Sequence, residues 1–153
     1  MKLLFINAYH YVHDAAENWR GNCLQKLAST TDDDGTKLSV DATGDPEALK
    51  VKTSQGEQTL AGCVMSYAYW NPAILRQSRL LNGQTGEYDA VKTELVGEEK
   101  INVRGTPTAA NHYKITGIPQ PIDLWYSPAG DWLALTALVK GGRKLRYELK
   151  GRR

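Results

Sequence analysis

Histidines with neighbouring acids are the first residues of this chain that could do chemistry. His10 and His13 precede Asp14 and Glu17, and such side chains are suitable zinc ligands when three or four of them converge. The alternating pattern here predicts a strand, on which His10 and His13 point to opposite faces. We therefore expect histidines on a sheet face and no metal site.

Cys63 is the candidate nucleophile. A catalytic thiolate needs a base within hydrogen-bond reach, and His112 and His13 are the distant histidines that could supply one. The neighbours of Cys63 give no nucleophile-elbow signature, so a buried or disulfide-bonded sulfur is favoured. The chain has two cysteines, and the spacing of Cys23 and Cys63 is not that of metal ligands. The pair fits either a disulfide in an exported protein or two separate buried thiols.

Carboxylates are the third candidates. Most acids concentrate in predicted turns, where local backbone hydrogen bonds explain them. Asp123 is the exception, because it lies inside a predicted strand beside Trp125. It could point into a concave face, but a solvated strand face is the favoured interpretation. No phosphate loop or dinucleotide fingerprint is present, so we predict neither enzyme activity nor a cofactor.

An aromatic segment before Pro72 is the strongest binding candidate. Tyr67 and Tyr69 share one face of a predicted strand, and Trp70 lies where a helix would begin. Ligand pockets are mostly apolar with a few polar groups, although a staple that holds the helix to the sheet is the simpler interpretation. The predicted ligand is apolar or amphiphilic and lipid-like. Seven residues form the predicted ligand-binding set: Tyr67, Tyr69, Trp70, Ile74, Leu75, Trp125 and Trp132.

One short helix is predicted over residues 71–81. Asn71 is a good N-cap, and Pro72 fits the first helical position, where its missing N–H costs nothing. Apolar residues then recur at helical spacing. Asn82 and Gly83 form a usual C-terminal stop. The aromatic segment therefore lies at a predicted junction between helix and sheet.

The rest of the chain predicts antiparallel strands. Turn signals at Gly97–Glu98 and Gly141–Gly142 separate short alternating runs, and Gly105–Asn111 is expected to be a loop. Sheets of roughly eight to ten strands curl or close. The predicted fold is mainly β: a strongly curved antiparallel sheet, as a half-barrel or β-roll, with the helix over its concave face. A β-sandwich is the alternative.

Composition and charge fit one ordinary domain. The 153 residues are expected to form a single β domain over 1–153. A net charge of +2 is too mild to predict nucleic-acid binding, and no apolar run reaches membrane-spanning length. The apolar start shows no signal-peptide cleavage site. A domain that begins in mid-strand could lack upstream strands, which we keep as a hypothesis.

Several sequence blocks resemble an uncharacterised bacterial family of mostly exported β proteins: Ile6–Tyr9, Cys63–Pro72, Leu80–Asn82, Ile122–Tyr126 and Gly142–Tyr147. The last third is also distantly similar to the half-barrels of periplasmic lipoprotein carriers. The resemblance implies a periplasmic or exported location and supplies no established activity. It also implies that leading strands are missing, which would leave an edge prone to pair with another chain. The alternative function is therefore a protein-interaction module that acts as a homodimer.

Overall fold

Antiparallel strands dominate the computed structural model, which describes residues 2–6, 11–33, 35–139 and 143–148. Within these residues there are thirteen strands and one 3-10 helix over Pro72–Arg76. The strands are β1 Lys2–Ile6, β2 Tyr11–Arg20, β3 Cys23–Asp33, β4 Thr36–Gly44, β5 Ala48–Thr53, β6 Gly56–Ala61, β7 Arg79–Leu81, β8 Tyr88–Ala90, β9 Lys92–Val103, β10 Thr106–Thr116, β11 Ile122–Tyr126, β12 Trp132–Val139 and β13 Arg143–Glu148. The prediction of a mainly β, antiparallel fold is confirmed.

The chain divides into two compact units. The first comprises Met1–Tyr67 and Leu80–Tyr88, and the second comprises Ala68–Arg79 and Asp89–Arg153. In the first unit, β1 to β6 form a six-stranded sheet in chain order. In the second, β9 to β13 form a five-stranded sheet, also with each strand beside its neighbour in sequence. β7 and β8 pair with each other as a separate two-stranded sheet. The single-domain expectation stays a prediction, because compactness alone does not show whether a unit folds independently.

The core of the first unit follows from strand alternation. In β4, Val40 and Ala42 are buried while Ser39 and Asp41 are exposed, as the period of two requires. The same alternation in the neighbouring strands brings one apolar face together. Its buried cluster is Leu24, Leu27, Val40, Ala42, Leu49, Val51, Leu60, Val64 and Leu81.

The second unit buries residues on both faces of its sheet. Ile115 and Leu124 are fully buried on one face, where the rings of Tyr113 and Tyr126 meet edge to face at 6.1 Å. Trp125 lies on the opposite face and packs with Ala134. Alternate residues of β11 therefore lie in two different environments.

The predicted helix over 71–81 was wrong in type and extent. The 3-10 helix ends at Arg76, because Gln77 adopts extended backbone angles. Residues Arg79–Leu81 form β7, and the Leu81 N–H donates to the Met65 carbonyl at 2.8 Å. Sheet pairing of these buried leucines overrides the local helical spacing. The described part of the chain has no helix long and apolar enough to cross a membrane.

Two predicted turns were also misplaced. β9 runs through Gly97–Glu98 as one strand. A β-bulge opposite His112 and Tyr113 accommodates one residue of β9 that has no partner in β10. The reversal comes later, at Arg104 and Gly105, whose positive φ angles of 52° and 81° suit a tight hairpin. The expected loop over Gly105–Asn111 is therefore mostly β10.

The remaining fold expectations concern shape. Gly141–Gly142 lies outside the described residues. None of the sheets closes into a barrel over the residues described. The half-barrel, β-roll and sandwich alternatives stay predictions.

Candidate functional site

A capped 3-10 helix follows Tyr69 and Trp70 in the second unit. The Asn71 side-chain oxygen accepts a hydrogen bond from the Ala73 N–H at 3.0 Å, and Pro72 occupies the first helical position. The Gln77 N–H closes the turn on the Ile74 carbonyl at 3.2 Å. The predicted N-cap is therefore confirmed, although it starts a shorter helix than expected.

Tyr69 and Trp132 form the centre of an aromatic patch, which we define as Tyr69, Trp70 and Trp132. The rings of Tyr69 and Trp132 lie 4.7 Å apart with a 57° tilt. The Tyr126 hydroxyl donates to the Tyr69 carbonyl and holds this backbone in place. Burial raises the pKa of the Tyr126 hydroxyl above its usual value, and nearby Tyr113 adds to the rise, so the hydroxyl remains a donor at neutral pH.

The patch combines exposed apolar surface with a buried polar atom. Trp70 is 47% exposed. The indole nitrogen of Trp132 is buried and has no hydrogen-bond acceptor within the described part of the chain. Since buried donors are normally paired, the Trp132 N–H is an unusual feature of the second unit.

The rest of the predicted set is spread over different environments. Tyr67 belongs to the first unit. Ile74 is only 1% exposed and is a core side chain, whereas Leu75 is half-buried. Trp125 has polar neighbours on the other face of the five-stranded sheet. The ligand-binding role of the seven residues stays a prediction.

Trp125 is the centre of a polar cluster that we define as Glu99, His112, Asp123, Trp125 and Arg146. The His112 ring stacks on Trp125 at 4.4 Å, and the Arg146 guanidinium lies 5.3 Å from the same ring. The Trp125 N–H donates to a Glu99 carboxylate oxygen at 2.8 Å. The indole therefore has polar partners as well as the apolar neighbours of its buried cluster.

His112 lies between two carboxylates. Its Nε2 is 2.8 Å from Asp123, and its Nδ1 is 3.6 Å from Glu99. The register explains this arrangement, because His112 is opposite Trp125 while Asp123 is two residues earlier on the same face of β11. Asp123 is thus a paired acid, not simply a solvated one. The sequence offered one signal, an acid inside a predicted strand, but it did not give the register that joins Asp123 to His112.

Cys23 and Cys63 form a disulfide, with their Cα atoms 4.9 Å apart. The next residues are joined as well, since the Leu24 N–H donates to the Val64 carbonyl at 2.8 Å. Because the two sulfurs are bonded to each other, Cys63 is not available as a nucleophile. The alternative of two separate buried thiols is excluded as well. Disulfides persist in oxidising compartments, so this bond is compatible with an exported protein.

His13 is a partly buried histidine on the first sheet. Its Nδ1 lies 2.7 Å from the Thr31 hydroxyl. Burial lowers the pKa of His13, and the charge of Asp14 opposes this effect in part. His10 lies outside the described residues. No group of three or more histidine, cysteine or acidic residues is placed to hold a metal ion in the part of the chain described.

Comparison with known proteins places the chain in a family. Neither the curated proteins nor the solved structures contain a significant match. The sequence model of a family described as a domain of unknown function, DUF6134, matches residues 1–150, a range that includes every described residue. The resemblance to an uncharacterised family is confirmed at this level, while the bacterial, exported and lipoprotein-carrier aspects stay predictions. The chain belongs to the DUF6134 family.

Proposed function

We propose that this protein is a non-enzymatic, exported β protein that binds an apolar or amphiphilic, lipid-like ligand at the aromatic patch. The observation that carries the proposal is the Trp132 indole, which packs on Tyr69 and buries an N–H without an acceptor among the described residues. Such a donor costs roughly 1–3 kcal/mol. A ligand oxygen would recover that free energy on binding.

The patch offers two kinds of contact to an amphiphile. A polar head group would accept the Trp132 N–H, while an acyl chain would cover the exposed ring of Trp70 and the half-buried Leu75. Tryptophan and tyrosine favour sites where one end of a ligand is apolar and the other is wet. Apolar burial would contribute about 25 cal/mol per Å² before ordering costs. Ile74 supports the site as a buried anchor, and Tyr67 and Trp125 are left out of it.

The proposal includes an exported location and a strongly curved first sheet. The disulfide between Cys23 and Cys63 supports a periplasmic or otherwise exported location. The sequential antiparallel pairing of β1 to β6 supports a strongly curved half-barrel or β-roll, because sheets of this kind curl as strands are added.

The non-enzymatic assignment rests on the state of the candidate nucleophile and base. Cys63 is bonded to Cys23. Both ring nitrogens of His112 face carboxylates, and the ring of His13 is bonded to Thr31. The polar cluster is therefore better suited to hold β9, β10 and β11 together than to activate a nucleophile.

Titration with dodecanoate below its micelle concentration tests the proposal. We expect a one-to-one complex in native mass spectrometry and a change in tryptophan fluorescence. Trp70→Ala should weaken binding about tenfold, since it removes a large apolar contact. Trp19→Phe is the matched control, because Trp19 packs against the core of the first unit.

A second variant separates the head-group contact from simple hydrophobicity. Trp132→Phe removes the buried N–H and keeps an aromatic ring, so it should stabilise the free protein and weaken dodecanoate binding. A wild-type protein that retains no dodecanoate and shows no fluorescence change would overturn the proposal.

The edge strand β9 favours homodimerisation as a second candidate function. β9 is twelve residues long and, among the strands that the structure describes, pairs on one side only, with β10. Leu95 and Val96 on it are 59% and 57% exposed. Long edge strands with apolar residues are prone to pair with another chain. In an antiparallel pair of two β9 strands centred on Gly97, each Glu94 would face Lys100 of the other copy.

Charge reversal tests this register. Glu94 now pairs with Lys92 at 3.3 Å, an exposed interaction worth little, so reversal should not disturb the fold. In sedimentation, Glu94→Lys and Lys100→Glu should each weaken the dimer, and the double variant should restore it. A wild-type protein that remains monomeric at all concentrations would remove the homodimer candidate.

A further inference from the structure

A cleft of about 300 Å³ lies within the first unit. One wall is the end of β5 and β6 with the turn that joins them, and the other wall is the loop of residues 82–87 that follows β7. This cleft is separate from the aromatic patch, whose residues belong to the second unit. Neither the proposed lipid site nor the homodimer candidate uses it.

The loop wall is fixed by hydrogen bonds. The Gly86 N–H donates to the Asn82 carbonyl at 2.8 Å, which closes the loop on itself. Two sheet side chains then hold it from below: Ser29 donates to the Gly83 carbonyl, and the Gln58 amide donates to the Gly86 carbonyl at 2.9 Å. A wall held in this way is preorganised, so a ligand would lose little free energy to loop ordering.

Gly86 shows how closely the loop approaches the sheet. Its φ of +80° favours glycine, and a Cβ built on it would lie 2.4 Å from the Thr53 methyl group. The backbone at Gly86 therefore reaches the floor of the cleft, where a side chain would fill the space. This close approach sets the shape of the cleft.

Apart from Val51 and the two glycines, the lining residues carry hydroxyls, amides and acids. The Thr53 hydroxyl accepts the Gln55 N–H, and the Thr85 hydroxyl accepts the Glu87 N–H, so each hydroxyl keeps its own proton to donate. The Gln58 amide uses its nitrogen on the loop, which leaves its oxygen as an acceptor for a ligand. The charged residues described in the lining, Glu57 and Glu87, are both acidic.

We propose that this cleft binds a small polyhydroxylated molecule that carries an ammonium group, of the amino-sugar class. The hydroxyls of such a ligand match the threonines and Gln58, and its ammonium group matches the carboxylate of Glu87. A volume of about 300 Å³ is at the lower end of ligand pockets, which span roughly 300–1,000 Å³. The cleft therefore suits a ligand the size of one sugar ring.

Titration with glucosamine, at a pH where its amine is protonated, tests this proposal by amide NMR. We expect shifts confined to residues 53–58 and 85–87, and about tenfold weaker binding of neutral glucose. Glu87→Gln should weaken glucosamine binding about tenfold and leave glucose binding unchanged. Glu47→Gln is the matched control, since Glu47 is an exposed acid of the same unit that does not line the cleft.

Each alternative result is informative. Absence of shifts in these two segments at tens of millimolar glucosamine would overturn the site. Equal affinity for glucosamine and glucose would overturn the ligand class. Equal losses in Glu87→Gln and Glu47→Gln would show a general charge effect and overturn the role of Glu87. Spectra unchanged away from the substituted residue establish that each variant is folded.

Discussion

His13 couples the stability of the first unit to pH. Burial lowers its pKa from 6.5 in the folded protein, so the folded state binds this proton more weakly than the unfolded chain. Above pH 6.5 both states carry a neutral imidazole, and His13 has no effect on stability. As pH falls below 6.5, the unfolded chain takes up the proton first and unfolding becomes more favourable. The free energy of unfolding stops falling once the pH is below the pKa of His13 in the folded state.

His13→Gln should remove this pH dependence. The free energy of unfolding from urea titrations should fall less steeply with acid in the variant, by up to about 1.4 kcal/mol per pH unit. Thr31→Val is the control, because it removes the 2.7 Å partner of His13 and keeps the titrating ring. It should lower stability at every pH and retain the acid dependence. Identical pH profiles for the wild type and His13→Gln would contradict the prediction.

Site chemistry at the residue scale was only partly predictable from the sequence. Residue type and alternation placed Asp123 and Trp125 on the same face of one strand. They could not show that His112 would stack on Trp125 and bond to Asp123, because this depends on the register between β10 and β11. Register is set by the whole hairpin and its turn, which a local pattern does not contain.

Elements were predictable where a local pattern and tertiary pairing agree. β4 and β11 were found because their alternation matches the faces that they bury. β9 was divided in error at Gly97, where the glycine marks a bulge inside one strand. The helix was extended in error to residue 81, because the leucines at its end pair in β7 instead.

The aromatic patch was likewise predictable only where local sequence signals determine it. The Asn71–Pro72 start was correctly predicted as the beginning of a helical segment. The strand predicted to carry Tyr67 and Tyr69 into it is not formed, because Tyr69 and Trp70 lie in a turn before the 3-10 helix. Their partner ring was beyond local inference, because Trp132 is distant in sequence and is brought to Tyr69 by the fold of the second unit. The tertiary partner, and with it the buried N–H that supports the proposed function, required the structure.

At the scale of the whole molecule, the question is whether the two units unfold together. The disulfide lies within the first unit and joins residues 40 apart in sequence. In the chain-entropy account, a loop of this length stabilises the folded state by about 4 kcal/mol. The double variant Cys23→Ala/Cys63→Ala should therefore lose about that much stability in the first unit.

Native-state hydrogen exchange can follow this loss strand by strand. A single domain over 1–153 unfolds as one body, so the most protected amides of β4 and β11 should lose the same opening free energy in the double variant. Added reductant should destabilise the wild type similarly and leave the double variant unaffected. A loss in β4 with no change in β11 would mean that the two units unfold separately, because the disulfide constrains only the chain of the first unit. The single-domain prediction would then be wrong, and the aromatic patch and the cleft would belong to two domains.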